Sequence, residues 1–345
     1  MLRNLRRQTV LILSAVLILA ASDAAQKQNK GKHKADQAEI GAAIMWQRVN
    51  IASRDLFTGP GGDSMKPDLS GITFIEREKG GHNKKYRIKD GSGRIWVAKP
   101  FTEARPETAA VRLLWGLGYE TEINYLVPEL TIPGVGTFKN VRLEARPGGV
   151  KRLDTWKWRD NPFIGTNEFQ GLKILQIFLN NNDVIDYNNK ILSVDGPNGP
   201  EFHYIISDLG STFGKRGNNN LPLFYRFGRK NDSPPKWSRS SFIKGVKNGR
   251  IVFATTGMKN RGLYKDITLD QGRWLYELLR QLSQDQISDM FRAANYSPQE
   301  IETLTAAFRT RVSELDEATA NIDRIANRPA KRTPTKTRVA RTRRH

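Results

Sequence analysis

The stretch that decides the fold runs from residue 180 to residue 210. It begins with Asn-Asn-Asn-Asp-Val-Ile-Asp-Tyr-Asn at 180–188 and ends with Ser-Asp-Leu-Gly at 207–210. Between them, the apolar runs 190–194 and 202–206 are separated by Asp-Gly-Pro-Asn-Gly-Pro, which predicts two strands joined by a hairpin turn. The second strand leads directly into Asp208, whereas Asp183 and Asn188 share the loop before the first strand.

The residues before this stretch predict a small sheet with one helix. Strand-like runs separated by turn residues occupy 73–99, and the last of them, Arg94–Lys99, is rich in β-forming residues. Pro106 suits the first turn of a helix, and apolar residues then recur at helical spacing up to Leu117. Two further strands are predicted around residues 125–127 and 141–145.

The rest of the chain is predicted to be mainly helical. Apolar spacing indicates helices at Phe169–Leu179, Asp270–Leu282, Asp285–Ala294 and Pro298–Glu317. Pro147-Gly148-Gly149 marks a domain boundary. The predicted fold class is therefore α+β with two lobes. The small N-terminal β-sheet lobe with one helix covers 41–147, and the larger, mainly helical C-terminal lobe covers 148–320.

Five polar residues stand where predicted strands and helices begin or end: Lys99, Glu107, Asp183, Asn188 and Asp208. Phosphoryl transfer from a nucleotide needs a cation for the phosphates and an acid that orients this cation. It also needs oxygen ligands for magnesium and a carboxylate that receives or orients the acceptor hydroxyl. Each residue alone also fits a structural position, such as a solvated strand end, a helix terminus or a turn. Their joint order favours phosphoryl transfer.

This ordered set, with Asp208-Leu209-Gly210, resembles the protein-kinase-like fold over residues 72–318. It looks more similar to divergent branches of that fold, the HipA-type, phosphoinositide-type and secretory-pathway kinases, than to ordinary protein kinases. The Asn-Asn-x-Asp and Asp-Leu-Gly-x-Thr-Phe-Gly motifs also resemble those of exported bacterial proteins without an assigned function. The resemblance implies a phosphotransferase that uses ATP and Mg²⁺.

The resemblance also implies roles for individual residues in nucleotide binding. Lys99 would bind the α- and β-phosphates, and Glu107 would pair with Lys99. The turn that contains Gly80 and Gly81 would cover the phosphates with backbone N–H groups, since glycine permits a close approach.

The remaining implied roles concern catalysis and the metal. Asp183 would be the catalytic carboxylate, and Asn188 and Asp208 would ligate magnesium.

The chain departs from ordinary protein kinases in several motifs. Gly80-Gly81 replaces a full Gly-x-Gly-x-x-Gly motif, and Asn181-Asn182 replaces the usual His-Arg before the catalytic carboxylate. Ile185 stands where many protein kinases place a phosphate-contacting Lys. These departures leave open an alternative, a non-catalytic kinase-like binding module of the cell envelope.

Residues 1–25 have the three parts of an export signal: basic residues at the start, the apolar run Val10–Leu19, and small residues at 20–25. The apolar run is shorter than the roughly 20 residues that span a bilayer. We therefore predict an exported protein, periplasmic or secreted, with a cleaved signal; an N-terminal membrane anchor is the alternative. Residues 26–40 are predicted to be a flexible basic linker.

The charge of the chain is strongly positive, with 56 Lys and Arg against 35 Asp and Glu, and the chain has no Cys. Zero Cys excludes disulfides, thiol catalysis and Cys-based metal sites. Residues 328–345 carry eight Lys and Arg and no acid; we predict a disordered basic tail there, with contact to an anionic polymer or envelope surface as its functional alternative. No motif for sequence-specific nucleic-acid binding is present, so nucleic-acid binding is the weakest hypothesis.

A second basic stretch, residues 226–250, interleaves Lys and Arg with aromatic residues. In a kinase this region follows the magnesium-binding segment, so its charge favours an anionic phosphate acceptor, such as a lipid headgroup, an acidic glycan or an acidic protein. The alternative, which we favour, is a solvated loop with packed aromatic residues. The predicted partners are thus a nucleotide and an acceptor whose identity stays open.

Overall fold

The structure is a computed structural model that describes residues 41–79, 84–215 and 231–320. Within these ranges, residues 43–79, 84–195, 201–215 and 231–320 belong to one unit. The described part of the other unit is Gly41–Ala42 and the hairpin turn at 196–200. The predicted export signal, linker and basic tail lie outside the described residues.

The N-terminal sheet contains five antiparallel strands. They are β2 (Thr73–Glu78), β3 (Lys85–Lys89), β4 (Ile95–Lys99), β5 (Asn124–Ile132) and β6 (Gly136–Ala145), in the spatial order β2-β3-β4-β6-β5. The predicted turn between β3 and β4 forms because the Asp90 carboxylate accepts from Arg94 N at 2.9 Å and from Trp96 Nε1 at 2.8 Å. Ile88, Trp96 and Leu143 belong to the apolar core of this sheet.

The predicted helix of this region is α1 (Ala104–Gly116), and its apolar residues are buried as expected. Gly118 follows the helix with a φ of 97°, a left-handed conformation that favours glycine. A Cβ at this position would also lie 2.2 Å from the carbonyl oxygen of Gln47. Gly118 therefore ends the helix and allows the close approach of residues 46–47.

The second half of the chain is mainly helical, as predicted. Its helices are α2 (Asn167–Phe178), α3 (Pro234–Ser238), α4 (Leu269–Leu279), α5 (Gln284–Ala293) and α6 (Pro298–Thr319). The capping box at the start of α6 forms reciprocally: Glu300 N donates to Ser297 Oγ, and Ser297 N donates to Glu300 Oε2 at 2.8 Å.

Two smaller sheets complete the described fold. The first contains β1 (Ala42–Ile44), β7 (Lys151–Arg152), β8 (Asn189–Gly196) and β9 (Gly199–Ile206), in the order β1-β9-β8-β7. Its β8–β9 hairpin is the hairpin predicted from residues 180–210. The second is an antiparallel pair, β10 (Ile243–Lys247) and β11 (Arg250–Phe253), which was not predicted. Together these elements give the predicted α+β fold class, with a small sheet and one helix in the N-terminal half and mainly helices in the C-terminal half.

The described part of the 226–250 stretch, residues 231–250, packs its aromatic side chains into the core. Trp237 and Phe242 are fully buried. The guanidinium of Arg311 lies 4.5 Å from the Trp237 ring and donates to the carbonyl oxygen of Phe178 at 2.5 Å. The basic residues Lys236 and Arg239 are exposed. These residues therefore match the alternative of packed aromatics with solvated charges, and residues 226–230 lie outside the described residues.

No helix within the described ranges is both long enough and apolar enough to cross a membrane.

Candidate active site

One cleft of about 470 Å³ brings together the site residues predicted within the described ranges. Its lining includes Lys99, Glu107, Asp183, Asn188 and Asp208. They come from β4, from the first turn of α1, from the loop between α2 and β8, and from the loop after β9. Groups so far apart in sequence meet only through the tertiary fold, as a reaction based on positioning requires.

The asparagine run after α2 shapes the loop that carries Asp183. Asn180 has a φ of 55°, and its side chain donates to the carbonyl oxygen of Gly214 at 2.8 Å. Asn181 Nδ2 donates to Gln176 Oε1 at 2.8 Å, while Asn181 Oδ1 accepts from Asp183 N at 3.0 Å. Asn182 N donates to Ser211 O at 3.1 Å. The Asn-Asn pair in place of His-Arg therefore holds the loop in position.

Two side chains bind the carboxylate of Asp183, one on each oxygen. Lys259 Nζ forms an ion pair with Oδ1. Asn188 Nδ2 donates to Oδ2 at 3.1 Å and to the backbone carbonyl of Asp183 at 2.8 Å. Lys259 also lines the cleft and is half exposed, so its ammonium has room for a second, anionic partner.

Asn188 and Asp208 carry side-chain oxygens that suit magnesium as ligands. The side-chain amide nitrogen of Asn188 donates to Asp183, and Oδ1 of Asn188 receives no hydrogen bond from the described residues. Ser207 N donates to Asn188 O at 2.8 Å, which ties the end of β9 to the Asp183 loop. No group of three or more His, Cys, Asp or Glu with metal-binding geometry occurs in the described ranges. This donor set suits Mg²⁺, which is often held by one or two protein oxygens together with phosphates and water.

The predicted pairing of Lys99 with Glu107 is wrong in this structure. Lys99 Nζ instead donates to Glu144 Oε2 at 2.6 Å. Lys99 lies opposite Arg142 in the β4–β6 ladder, and Glu144 is two residues further along β6, on the same sheet face. A strand carboxylate therefore takes the place that the resemblance assigned to a helix carboxylate.

Glu107 binds a different cation, Arg142 Nη2, at 2.9 Å. Burial raises the pKa of Glu107 to about 8, although Arg142 and Lys99 oppose this shift. Burial also disfavours the ionised form of Glu144, but Lys99, Arg146, Arg142 and Arg152 outweigh it and hold the pKa of Glu144 well below its usual range. Glu144 is therefore the ionised partner of Lys99, whereas burial makes Glu107 the weaker acid of the two.

The Gly80-Gly81 turn, predicted to cover the phosphates, lies outside the described residues. Lys79 and Lys85 stand on either side of it in sequence, and both line the cleft. With Lys99 and Lys259, they give the cleft four cationic side chains. The same lining carries carboxylates, among them Asp183 and Asp208. Ammonium groups beside carboxylates suit a polyphosphate that is bound together with a metal ion.

Sequence reasoning missed three residues of the site: Arg142, Glu144 and Lys259. The first two carried a signal, because they alternate with apolar residues in the predicted strand Val141–Ala145, and all five residues are buried in the structure. Two charges facing inward from a sheet are expected only where they bind each other or a functional group. Lys259 carried no such signal, since it lies 76 residues from Asp183 in a loop.

A second cavity of about 480 Å³ adjoins this cation–carboxylate network. Its lining includes Ile123, Arg146, Pro147, Arg152 and Leu192. Arg146 and Arg152 both form ion pairs with the carboxylate that also binds Lys99. The network therefore connects the lining of the second cavity with the lining of the cleft.

The chain is similar in structure to a Helicobacter pylori proinflammatory kinase, CtkA, with a TM-score of 0.50 at 12% sequence identity. The similarity covers 76% of this chain and 100% of that kinase. A Golgi casein kinase solved with Mn and ADP gives a TM-score of 0.37 at 10% identity, over 74% of this chain and 73% of that one. The Rio2 kinase of Chaetomium thermophilum, solved with ADP, Mg²⁺ and phosphoaspartate, gives 0.30 at 13% identity, over 70% and 72%.

No protein-family profile matches the chain, and no curated protein matches its sequence. At an identity of 12%, the likeness to CtkA shows the fold and leaves the chemistry to the residues of the cleft. The chain therefore has a divergent protein-kinase-like fold, as its ordered motifs predicted.

Proposed function

We propose that this chain is a phosphotransferase that transfers the γ-phosphoryl group of ATP to a hydroxyl acceptor with the help of Mg²⁺. The observation that supports this proposal best is the meeting of Lys99, Asp183, Asn188 and Asp208 in one cleft. Each is of the residue type that its role requires, and each comes from a different part of the sequence. A chance assembly of this kind is improbable in a fold shared with kinases.

In the proposed complex, the triphosphate lies in the cleft and the nucleoside lies in the second cavity. Lys99 contacts the α- and β-phosphates while Glu144 holds its ammonium in place. Asn188 and Asp208 hold magnesium, which supplies charge neutralisation for the phosphates. Ile123, Pro147 and Leu192 offer apolar surface for the base.

In the proposed reaction, the acceptor hydroxyl attacks the γ-phosphorus. A bond forms between the acceptor oxygen and phosphorus, and the bond from phosphorus to the β–γ bridging oxygen breaks, leaving ADP. Asp183 accepts the hydroxyl proton through a carboxylate oxygen. Lys259, bound to the same carboxylate, faces the phosphoryl group that moves and stabilises its charge.

The second candidate is a non-catalytic module that binds a nucleotide or another anion. The observation that favours it is the engagement of Lys99 by Glu144, while Glu107 is bound by Arg142. This arrangement differs from the Lys99–Glu107 pair that the resemblance implied. Both candidates predict anion binding in the cleft, and only the first predicts phosphoryl transfer.

Transfer of labelled γ-phosphate from ATP by the full chain separates the two candidates. The acceptors to be supplied are an acidic protein, an anionic lipid and an acidic glycan, and incorporation into the chain itself is counted as well. We expect Mg²⁺-dependent transfer that falls about 10²- to 10⁴-fold in Asp183→Asn, the range for loss of a general base. Nucleotide binding without any transfer would instead support the non-catalytic module.

Asp186→Asn is the matched control. Asp186 lies in the same loop, but its Oδ1 accepts from Trp158 N at 3.0 Å, and it is not among the residues that line the cleft. Asparagine keeps that acceptor, so transfer should be unchanged. Equal losses in Asp183→Asn and Asp186→Asn would count against a catalytic role for Asp183.

We also propose export, on the basis of residues 1–25 alone. Fractionation of cells that express the full chain should find it outside the cytoplasm. Exchange of Arg3, Arg6 and Arg7 for Glu should retain it inside. Export that survives this exchange would count against the signal.

A further inference from the structure

A third depression, of about 660 Å³, lies between the β10–β11 hairpin and the segment that follows it. Its lining includes Val252, Phe253, Thr255, Arg261, Tyr264 and Lys265. None of its lining residues belongs to the lining of the cleft or of the second cavity. This depression, named here the hairpin pocket, has no role in the function proposed above.

Three cations surround the hairpin pocket, and none of them forms an ion pair with a described residue. Arg261 and Lys265 line the pocket. Arg159 is close because its Nη2 would be 3.1 Å from a Cβ at Gly262, another lining residue. All three are exposed. Unpaired cations around a concave surface attract anionic groups.

Neither Asp266, the neighbouring acid, nor Tyr264 neutralises this positive charge. Asp266 is bound by Arg250, whose Nη1 donates to the backbone carbonyl of Asp266 at 2.9 Å and to Oδ1 at 3.3 Å. Burial raises the pKa of Tyr264, so its phenol is neutral at physiological pH. The hairpin pocket therefore carries a net positive charge.

The hairpin side of the pocket is apolar. Val252 is 39% exposed and lines the pocket beside Ile251 and Phe253. An inorganic anion would use only the cations and leave this surface uncovered. An occupant with both acidic and apolar side chains would contact the cations and also cover the apolar hairpin side.

The hairpin pocket is joined to the Asp183 loop by a short piece of chain. Lys259 binds the carboxylate of Asp183, and Asn260 Nδ2 donates to Val184 O at 2.7 Å. Arg261 is the next residue, so its Cα lies within about 7 Å of the Cα of Lys259. A peptide with an acidic residue two to four positions from its acceptor hydroxyl would bridge about 7–14 Å when extended.

We propose that the hairpin pocket binds an acidic, partly apolar peptide segment of the phosphate acceptor. The acidic side chains contact Arg261, Lys265 and Arg159, and the apolar side chains pack on Val252. This inference rests on the proposed function, because it assigns the acceptor class of the same active site.

The test measures peptide binding without nucleotide, so its outcome is independent of phosphoryl transfer. The probe is a fluorescein-labelled peptide, Ser-Val-Glu-Val-Glu-Glu, and its counterpart carries Gln in place of each Glu. Fluorescence anisotropy with the full chain should show that the Glu peptide binds more tightly. Arg261→Glu/Lys265→Glu should weaken that binding about tenfold or more, since two cationic contacts become repulsive.

Lys89→Glu is the control, because Lys89 is an exposed strand lysine that lines neither the cleft nor the hairpin pocket. It should leave peptide binding unchanged. Far-ultraviolet circular dichroism and Tm should show that all variants fold.

Three results would overturn the proposal. The first is equal affinity of the wild-type chain and the double variant for the Glu peptide. The second is full displacement of the peptide by millimolar inorganic phosphate, which would assign the pocket to a free anion. The third is binding of phosphatidylglycerol vesicles through Arg261 and Lys265 with no peptide binding, which would assign it to a lipid surface.

Discussion

Lys259 provides the sharpest prediction, because it contacts Asp183 from a distant part of the sequence. In ordinary kinases a lysine two residues after the catalytic carboxylate contacts the phosphate, and this chain has Ile185 there. Both Ile185 and Lys259 line the cleft. We expect Lys259→Ala to lower kcat and Ile185→Lys, added to Lys259→Ala, to restore much of it.

The magnitude follows from two contributions of the Lys259 ammonium. A charge-assisted hydrogen bond contributes about 1.5–3 kcal/mol when buried, but Lys259 is 51% exposed, so solvent screening reduces the Asp183 contact to about 1 kcal/mol. That value alone lowers the rate about fivefold. Loss of its charge from the moving phosphoryl group brings the expected fall in kcat to about 100-fold.

The assay is steady-state transfer of labelled phosphate from ATP, with Lys244→Ala, an exposed lysine of β10, as the control. KM for ATP should change little, since in the proposed complex Lys99, Asn188 and Asp208 would bind the nucleotide and its metal. Unchanged kcat in Lys259→Ala would refute the reasoning. A fall in kcat that Ile185→Lys does not restore would also refute it, because Lys259 would then not act as a cation beside Asp183.

Three further predictions test the buried charges and the backbone. Glu144→Gln should weaken MgATP binding about tenfold by calorimetry, because Lys99 loses the partner that holds it; equal affinity would show that Lys99 needs no such partner. The wild-type stability contributed by Glu107 should fall as pH rises from about 4.5 to about 8, because its pKa is raised in the folded state. The Tm of Glu107→Gln relative to wild type should therefore rise over that window, and a constant difference would contradict the raised pKa. Gly118→Ala should cost several kcal/mol of unfolding free energy, whereas Gly93→Ala should cost about 1 kcal/mol. Both have positive φ, but only a Cβ at Gly118 meets a neighbouring atom, so equal losses in urea unfolding would contradict that contact.

The parts of the fold that the sequence predicted are those specified by local patterns. The Asp90 turn, the apolar stripe of α1 and the capping box of α6 each depend on residues within a few positions of one another. The β8–β9 hairpin was predicted for the same reason. The short helix α3 and the β10–β11 pair were missed because 231–253 is rich in basic and turn residues, and its burial depends on Phe178 and Arg311 elsewhere in the chain.

In the candidate site, too, sequence patterns predicted the residues in local motifs but not the contacts between distant parts of the chain. Asp183, Asn188 and Asp208 were found because they stand at predicted loop ends in a fixed order. The partner of Lys99 was predicted wrongly because strand register, which places Glu144 on the same sheet face, is a property of long-range pairing. Lys259 was missed because its contact with Asp183 spans 76 residues.

The central claim is that the cleft binds a magnesium nucleotide through Asp208 and its neighbours. Calorimetric titration of the full chain with ATP, with and without Mg²⁺, tests it most directly, for wild type and for Asp208→Asn. We expect saturable, Mg²⁺-dependent binding in wild type and a loss of about tenfold or more in Asp208→Asn, the cost of one charged metal contact. Absence of binding in wild type, or equal Mg²⁺-dependent affinity in Asp208→Asn, would contradict the claim.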